Sequence, residues 1–355
     1  MKIAIDCRML QCSGIGTFLK GALNELIKHK EISFVLVGKE NDLLGYRQHN
    51  TKFIPCDVPI FSVKELIGFP VTEINKCDCF FSPNYNIPSG IRVPVFSTIH
   101  DVLFLDFPNL TGTIGRLIRK LAVSRAVRLS AHIFTVSEFS KSRILHHTAT
   151  AKPISVCYNG ADSVLNTSEC NPSINIEGAE YYIFVGNIKP HKGLGTLLDA
   201  FEKVSIRNAE RKLIIVGSQA NFKTSDPTIT HRISKMSSLN KIIFTGYVDD
   251  DKLIKLIKNA YCLVLPSEYE GFGLPPLEAM QLGTPVIISD IPVFKELYQE
   301  FPVTFFRATD ADSLANAMIS PMSRVSLSDE QRGKYTYKKT ADKILSDIKS
   351  YFQNK

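Results

Sequence analysis

No apolar stretch in this sequence approaches the ~18 residues needed to span a bilayer, so the sequence shows no membrane-spanning helix. The eight cysteines are scattered. Cys77-Asp78-Cys79 is not a C-x-x-C motif, and no second pair or histidine pair follows at zinc-ligand distance, so a zinc site is excluded. Reduced, mostly buried thiols are expected instead, as in the cytosol. Ser13-Gly14-Ile15-Gly16-Thr17-Phe18 has two glycines but no third at dinucleotide spacing, which counts against an NAD-dependent oxidoreductase. Internal repeats and low-complexity tracts are missing. Met1-Lys2-Ile3-Ala4-Ile5-Asp6 reads as a strand running into an acidic residue rather than as a secretory signal. A cytoplasmic protein is expected. The net charge of +7 is modest for 355 residues and gives no reason to expect nucleic acid as a partner.

An apolar content of 44% and a charged content of 22% describe a globular chain long enough for two domains. Short apolar runs alternate with helical patterns, which predicts α/β architecture with parallel sheets. Strands are expected at Ile3–Asp6, Phe34–Val37, Cys79–Ser82, Val95–Ile99 and Ile133–Val136. A second set is expected at Tyr182–Val185, Leu213–Val216, Ile242–Thr245, Tyr261–Leu265 and Val286–Ile288. Helices are expected between most of them, for example over Gly193–Ile206 and Asp249–Asn259. The polar segment between the two sets, with Pro172 and Gly178, reads as a linker. The division is then 1–160, a linker over 161–178, a second domain over 179–333 and a terminal helix within 334–355. Two Rossmann-like domains facing a cleft are expected, with ligands at the C-terminal strand ends.

The most specific stretch is Pro266-Ser267-Glu268-Tyr269-Glu270-Gly271-Phe272-Gly273-Leu274-Pro275-Pro276-Leu277-Glu278-Ala279-Met280. It reads as strand, glycine loop and helix start. Gly271 and Gly273 permit a tight turn, and the prolines suit a first helical turn, where missing N–H groups cost little. Such a helix N-terminus suits phosphate, whereas carboxylates beside it suit sugar hydroxyls. Gly186-Asn187-Ile188-Lys189-Pro190-His191-Lys192-Gly193 has the same layout. A cation at a helix start is disfavoured by the macrodipole, so an anionic ligand best explains Lys192.

With the run Gly283-Thr284-Pro285-Val286-Ile287-Ile288-Ser289-Asp290 after it, this stretch resembles the E-x7-E signature of retaining glycosyltransferases of family 4, which have the GT-B fold. The Gly186–Gly193 loop is similar to that family's diphosphate loop, with Asn187 where an arginine is usual. The resemblance implies two Rossmann-like domains and a terminal helix, here Tyr335–Tyr351, crossing back to the first. It implies that Lys192 neutralises the donor diphosphate and that Glu270 binds donor-sugar hydroxyls and stabilises positive charge at the anomeric carbon. Glu278 would hold the ribose. The amides of Gly273 and Leu274, with Phe272 and Asn187, would belong to the donor site. Thr98-Ile99-His100-Asp101 is similar to a histidine–aspartate pair near the donor sugar, and Gly14 and Gly16 to a first glycine loop near phosphates and acceptor. The latter two serve equally as a tight βα turn.

The resemblance also implies no cofactor and no bound metal. Asp249-Asp250-Asp251 precedes a clear helix and reads as an N-cap with dipole-favouring acids rather than as a metal motif. Ser137 likewise reads as an N-cap. Arg116, Arg119, Lys120, Arg125 and Arg128 lie among Leu117, Ile118, Leu121, Val123 and Val127. That pattern suits either a solvated face over a core stripe or a helix on an anionic membrane surface. The expected activity is retaining transfer of a hexose from a nucleoside diphosphate sugar to a saccharide acceptor. The resemblance favours mannose, an acceptor on polyprenyl diphosphate, surface-polysaccharide or lipopolysaccharide synthesis, and peripheral contact with the inner face of the cell membrane. A GT-B sugar-nucleotide epimerase and a non-catalytic nucleotide-sugar-binding protein are the alternatives.

Overall fold

The computed structural model describes residues 1–108, 112–162, 180–208, 210–217, 233 and 241–354. The expected linker over 161–178 lies, beyond its first two residues, outside the described residues. The chain divides into two compact units. The first is Met1–Gly160 together with Thr336–Lys355, and the second is Ala161–Tyr335.

The first unit is built on seven parallel strands: β1 (Lys2–Asp6), β2 (Ser33–Gly38), β3 (Thr51–Pro55), β4 (Cys79–Ser82), β5 (Val95–Thr98), β6 (Ser130–Thr135) and β7 (Ile154–Val156). They lie in the order β3-β2-β1-β4-β5-β6-β7. In the second unit β8 (Tyr181–Val185), β9 (Lys212–Val216), β10 (Ile242–Gly246), β11 (Cys262–Leu265), β12 (Val286–Ser289) and β13 (Thr304–Phe306) lie in the order β10-β9-β8-β11-β12-β13, again all parallel. Each sheet starts at its centre, winds outward to one side, then returns and winds to the other. The reversal, between β1 and β4 and between β8 and β11, opens a crevice beyond the C-terminal strand ends where ligands bind.

The central strands are continuous apolar runs because helices cover both sheet faces. All residues of β8, β11 and β12 are buried. The strands absent from the sequence reading, β3, β7 and β13, are sheet edges. Two of them have only three residues, and β3 is partly exposed and ends on Pro55. Short edges with proline limit pairing with other chains, and they also lack the apolar run by which a strand is recognised.

The last helix is Tyr337–Gln353, two residues later than expected, because Thr336 caps it by accepting from the Lys339 amide. It belongs to the first unit, where Tyr337, Ala341, Ile344, Leu345 and Ile348 form its buried face. Tyr337 packs on the Ile15–Leu26 helix at Gly21, where a Cβ would lie 2.3 Å from the tyrosine ring. Tyr351 meets Phe96 of β5 edge-on at 5.5 Å.

Candidate active site

At the reversal of the second sheet, two loops interlock. One leaves β8 and ends in the turn Pro190–Lys192, which opens the Leu194–Arg207 helix. The other leaves β11 and opens the Leu274–Gln281 helix. The Glu268 amide donates to the His191 carbonyl at 2.8 Å. Gly193 sits at φ +67, and a Cβ there would stand 2.0 Å from the Pro266 carbonyl oxygen. Only glycine allows both that conformation and that approach. Gly273 is equally constrained. Its φ is +77, a Cβ would meet Phe294 at 2.4 Å, and the buried Tyr298 hydroxyl donates to its carbonyl at 2.6 Å.

This frame joins two side chains to which the sequence assigns separate tasks. Lys192 Nζ stands 2.6 Å from Glu270 Oε1. The fully buried Ser267 hydroxyl donates to the same oxygen at 2.7 Å. Ser267 is itself anchored, because its carbonyl accepts from the Ser289 hydroxyl at the end of β12. Both donors therefore load Oε1. Oε2 accepts no hydrogen bond among the described residues. The ammonium uses one of its three N–H donors on this carboxylate. Both side chains are largely buried, so each needs the other's charge when no ligand supplies one.

Glu278 lies in the second turn of the Leu274–Gln281 helix, partly buried, and its carboxylate has no hydrogen-bond partner among the described residues. Burial, with a smaller contribution from Asp250, pushes its pKa up to about 7. Such a group gains from hydroxyl donors, which stabilise its charged form. His191, which the sequence reading passed over, is buried beside Lys192. Burial first, and then the Lys192 charge, lower its pKa to about 4. Asn187 is exposed on the same loop. Phe272 turns its ring into an aromatic cluster, edge-on to Tyr298 at 6.4 Å and to Tyr335 at 5.7 Å. Its side chain belongs to the core. Leu274 begins the helix, whose first N–H groups have no acceptor within the helix.

In the first unit, His100 follows β5 at the C-terminal edge of the sheet. Its Nε2 is 3.0 Å from the Pro83 carbonyl, and Phe18 meets its ring edge-on at 5.0 Å. Burial lowers its pKa to about 4, with partial opposition from the Pro83 carbonyl. The ring is therefore neutral at pH 7. A carbonyl partner requires the proton on Nε2, which leaves Nδ1 as an acceptor. Asp101 accepts from the Leu103 amide at 3.0 Å and so organises the following turn. Gly14 precedes the Ile15–Leu26 helix at φ +74 with open space around it. Gly16 is consumed by packing, since a Cβ there would lie 2.6 Å from the Met9 carbonyl oxygen. The buried Arg8 just after β1 was not legible. It makes a bidentate pair with Asp6, reaches Glu65 at 2.6 Å and lies over the Phe69 ring at 4.4 Å.

Asp249 is the N-cap of the Asp250–Asn259 helix and accepts from the Lys252 amide at 2.8 Å. Ser137 caps the Glu138–Thr148 helix through the Ser140 amide. Among the described residues no three His, Cys, Asp or Glu side chains gather as a metal site, and no helix is long and apolar enough to cross a membrane.

Residues 168–339 match the family described as Glycosyl transferases group 1. The O-antigen chain mannosyltransferase RfbU of Salmonella typhimurium is 31% identical over 201 residues, which covers 56% of this chain and 53% of the relative. The serotype-specific mannosyltransferase WbdA of Escherichia coli is 30% identical over 273 residues, 70% of this chain and 33% of the relative. The chain thus spans about half the length of the first of these relatives and a third of the second. Among solved structures, Anabaena HepE in complex with UDP and glucose superposes with a TM-score of 0.73 at 19% identity, covering 99% of this chain and 100% of the other. The loops around Lys192 and Glu270 lie within the matched residues 168–339. Residues 168–339 thus carry the match to the group 1 glycosyltransferases, and the chain has the two-sheet architecture of the GT-B fold.

Proposed function

We propose that the chain is a retaining hexosyltransferase that takes a nucleoside diphosphate sugar as donor and a saccharide as acceptor. The sugar is mannose, by analogy with the O-antigen relatives. The observation that carries this reading is the Lys192–Glu270 pair at the reversal of the second sheet. A cation suited to a leaving diphosphate and a carboxylate suited to a developing oxocarbenium ion are held 2.6 Å apart. In the reaction, the acceptor hydroxyl oxygen bonds to the anomeric carbon from the face the diphosphate leaves. The carbon–oxygen bond to the diphosphate breaks, and its oxygen takes the hydroxyl proton. The protein contributes charge stabilisation and positioning rather than a covalent nucleophile. Lys192 and the helix amides at Gly273 and Leu274 receive the diphosphate, and Asn187 adds a neutral hydrogen bond. Glu278 accepts from the ribose hydroxyls. Glu270 faces the anomeric charge. In the first unit by itself, the neutral His100 keeps Nδ1 as an acceptor suited to a hydroxyl.

Lys192→Ala tests this reading. The expected outcome is a fall in kcat/KM on the order of 10²-fold or more, as for loss of one stabilising donor at a developing anion. Wild-type kcat/KM would overturn the assignment. The same assay in excess EDTA should keep full turnover, because lysine and helix amides carry the leaving-group charge. Conversion of the donor to an epimer without any acceptor would instead favour the epimerase.

A further inference from the structure

Between β3 and β4 of the first unit, Phe61 stands in the left-handed region at φ +55, 54% exposed. An exposed turn of that conformation favours glycine or asparagine, because a Cβ crowds the neighbouring carbonyl. A bulky ring there is costly. Such outliers persist where the surrounding structure enforces them, and they cluster at ligand-binding segments. The enforcement here is buried. Glu65 accepts from the Phe61 amide at 2.8 Å, from Arg8 at 2.6 Å and from the Asn86 side chain. Arg8 also donates to the Val58 carbonyl at 3.2 Å, and the Ser62 hydroxyl donates to the Pro59 carbonyl at 2.7 Å. Buried charges are expensive unless fully paired, and this set fastens a short loop that presents one aromatic ring to solvent.

Tyr85, which follows β4, lies 6.1 Å from Phe61 at 43°, and its other neighbour Phe104 lies 6.1 Å from it. Burial raises the Tyr85 pKa, Arg119 opposes that and Asp101 adds to it, so both charges lie near the phenol. Among the described residues the Tyr85 hydroxyl and Asn86 Oδ1 have no hydrogen-bond partner, and neither is sealed from solvent. The result, at the C-terminal strand ends of the first sheet, is an aromatic face rimmed by open donors and acceptors.

We propose that this platform stacks a pyranose ring of the acceptor saccharide, its C–H face on Phe61 and its hydroxyls at Tyr85 and Asn86. A pyranose carries C–H groups on its face and hydroxyls around its rim, which matches a ring beside open polar atoms. A purely apolar partner would bury the Tyr85 hydroxyl and Asn86 Oδ1 unpaired, at the full desolvation cost of each. That the saccharide is an acceptor rests on the function proposed above. The saccharide site itself rests on the first unit alone.

The test is saturation-transfer NMR on the full chain without donor, irradiating aromatic protons, with mannotriose, maltotriose and chitotriose as probes. Two variants accompany it. Phe61→Asn removes the ring and suits the left-handed backbone, and Phe61→Tyr keeps a ring. Saturation should reach the C–H protons of one pyranose face in at least one probe. It should vanish in Phe61→Asn and return in Phe61→Tyr, while the melting temperature of Phe61→Asn holds or rises. With the trisaccharide that binds as acceptor, Phe61→Asn should raise acceptor KM roughly tenfold, the upper range of one aromatic contact, and leave donor KM as it was. No saturation in the wild type, equal saturation in wild type and Phe61→Asn, or a lower melting temperature in Phe61→Asn would overturn the proposal. The NMR needs no turnover, so it is read apart from the Lys192→Ala assay. Sugar contact at Phe61 in a chain that transfers nothing would refute the transferase and keep the saccharide site.

Discussion

Glu270 is oriented by a fully buried serine. Ser267 loads one carboxylate oxygen together with Lys192. Ser267→Ala should therefore lower kcat by roughly 10- to 100-fold, equivalent to the ~1.5–3 kcal/mol of a hydrogen bond to a charged group. Donor KM should change little, because the charge that Glu270 meets develops only in the transition state. A change in KM alone would remove the positioning role. Glu278 makes a different prediction. Its pKa is raised from 4.5 to about 7 by burial and then by Asp250. A raised acid contributes stability that is fully present below its unfolded pKa and lost as pH rises through the folded one. Glu278→Gln should gain on wild type in urea unfolding between pH 5 and pH 8. Donor affinity in the wild type should rise with pH through 7, because ribose hydroxyls favour the carboxylate. A pH-independent difference between the two proteins would contradict this. Lys192, Glu270 and Glu278 were legible because their loops are local strand–glycine–helix signals. Ser267 is the nearest case to a missed signal, a polar residue where an apolar strand ends. Glu65, which meets Arg8 57 positions away in sequence, had no local signature.

At the scale of elements, the site depends on backbone conformations more than on side chains. Gly273 combines φ +77 with a ring 2.4 Å from where a Cβ would stand. Gly273→Ala should destabilise the protein by at least ~1–3 kcal/mol, the cost of holding an ordinary residue in a sparse region. The added Phe294→Leu should relieve the collision but not the backbone strain. Urea midpoints of single and double variants measure both, and an unchanged midpoint in Gly273→Ala would refute the steric account. The interior strands were legible because parallel strands buried on both faces are unbroken apolar runs. β3, β7 and β13 escaped because these edges are short or mixed in character, whereas β10, an edge with an apolar start, was legible. The Thr113–Leu129 helix was legible as a helix, but the outward direction of its Ile114, Leu117, Ile118 and Leu121 was not. Periodicity fixes which residues share a face and says nothing of what that face meets.

At the scale of the whole molecule, the first unit is discontinuous in sequence, because Thr336–Lys355 packs with Met1–Gly160. A chain truncated after Tyr335 would uncover the surface that holds Tyr337, Ala341, Ile344, Leu345 and Ile348. Hydrogen exchange should then lose protection at β1 and β5 of the first unit and keep it at β8 and β11 of the second. Uniform loss, or none, would show that the helix is not integral to the first unit. The two-domain plan and the terminal helix were expected from the sequence. The hand-over between Tyr335 and Thr336 was not, since it turns on one tyrosine bonded to the Leu297 carbonyl and the next packed on Gly21.

That discontinuity also sets an order of events on the ribosome. Residues 1–160 emerge first but lack the helix that completes their packing. All of Ala161–Tyr335 is translated before that helix appears. At roughly 5–20 residues per second this is on the order of ten seconds or more. The second unit, contiguous in sequence, can finish folding inside that interval. The nascent first unit waits with the outer face of Ile15–Leu26 uncovered, and that face is where a chaperone would find it.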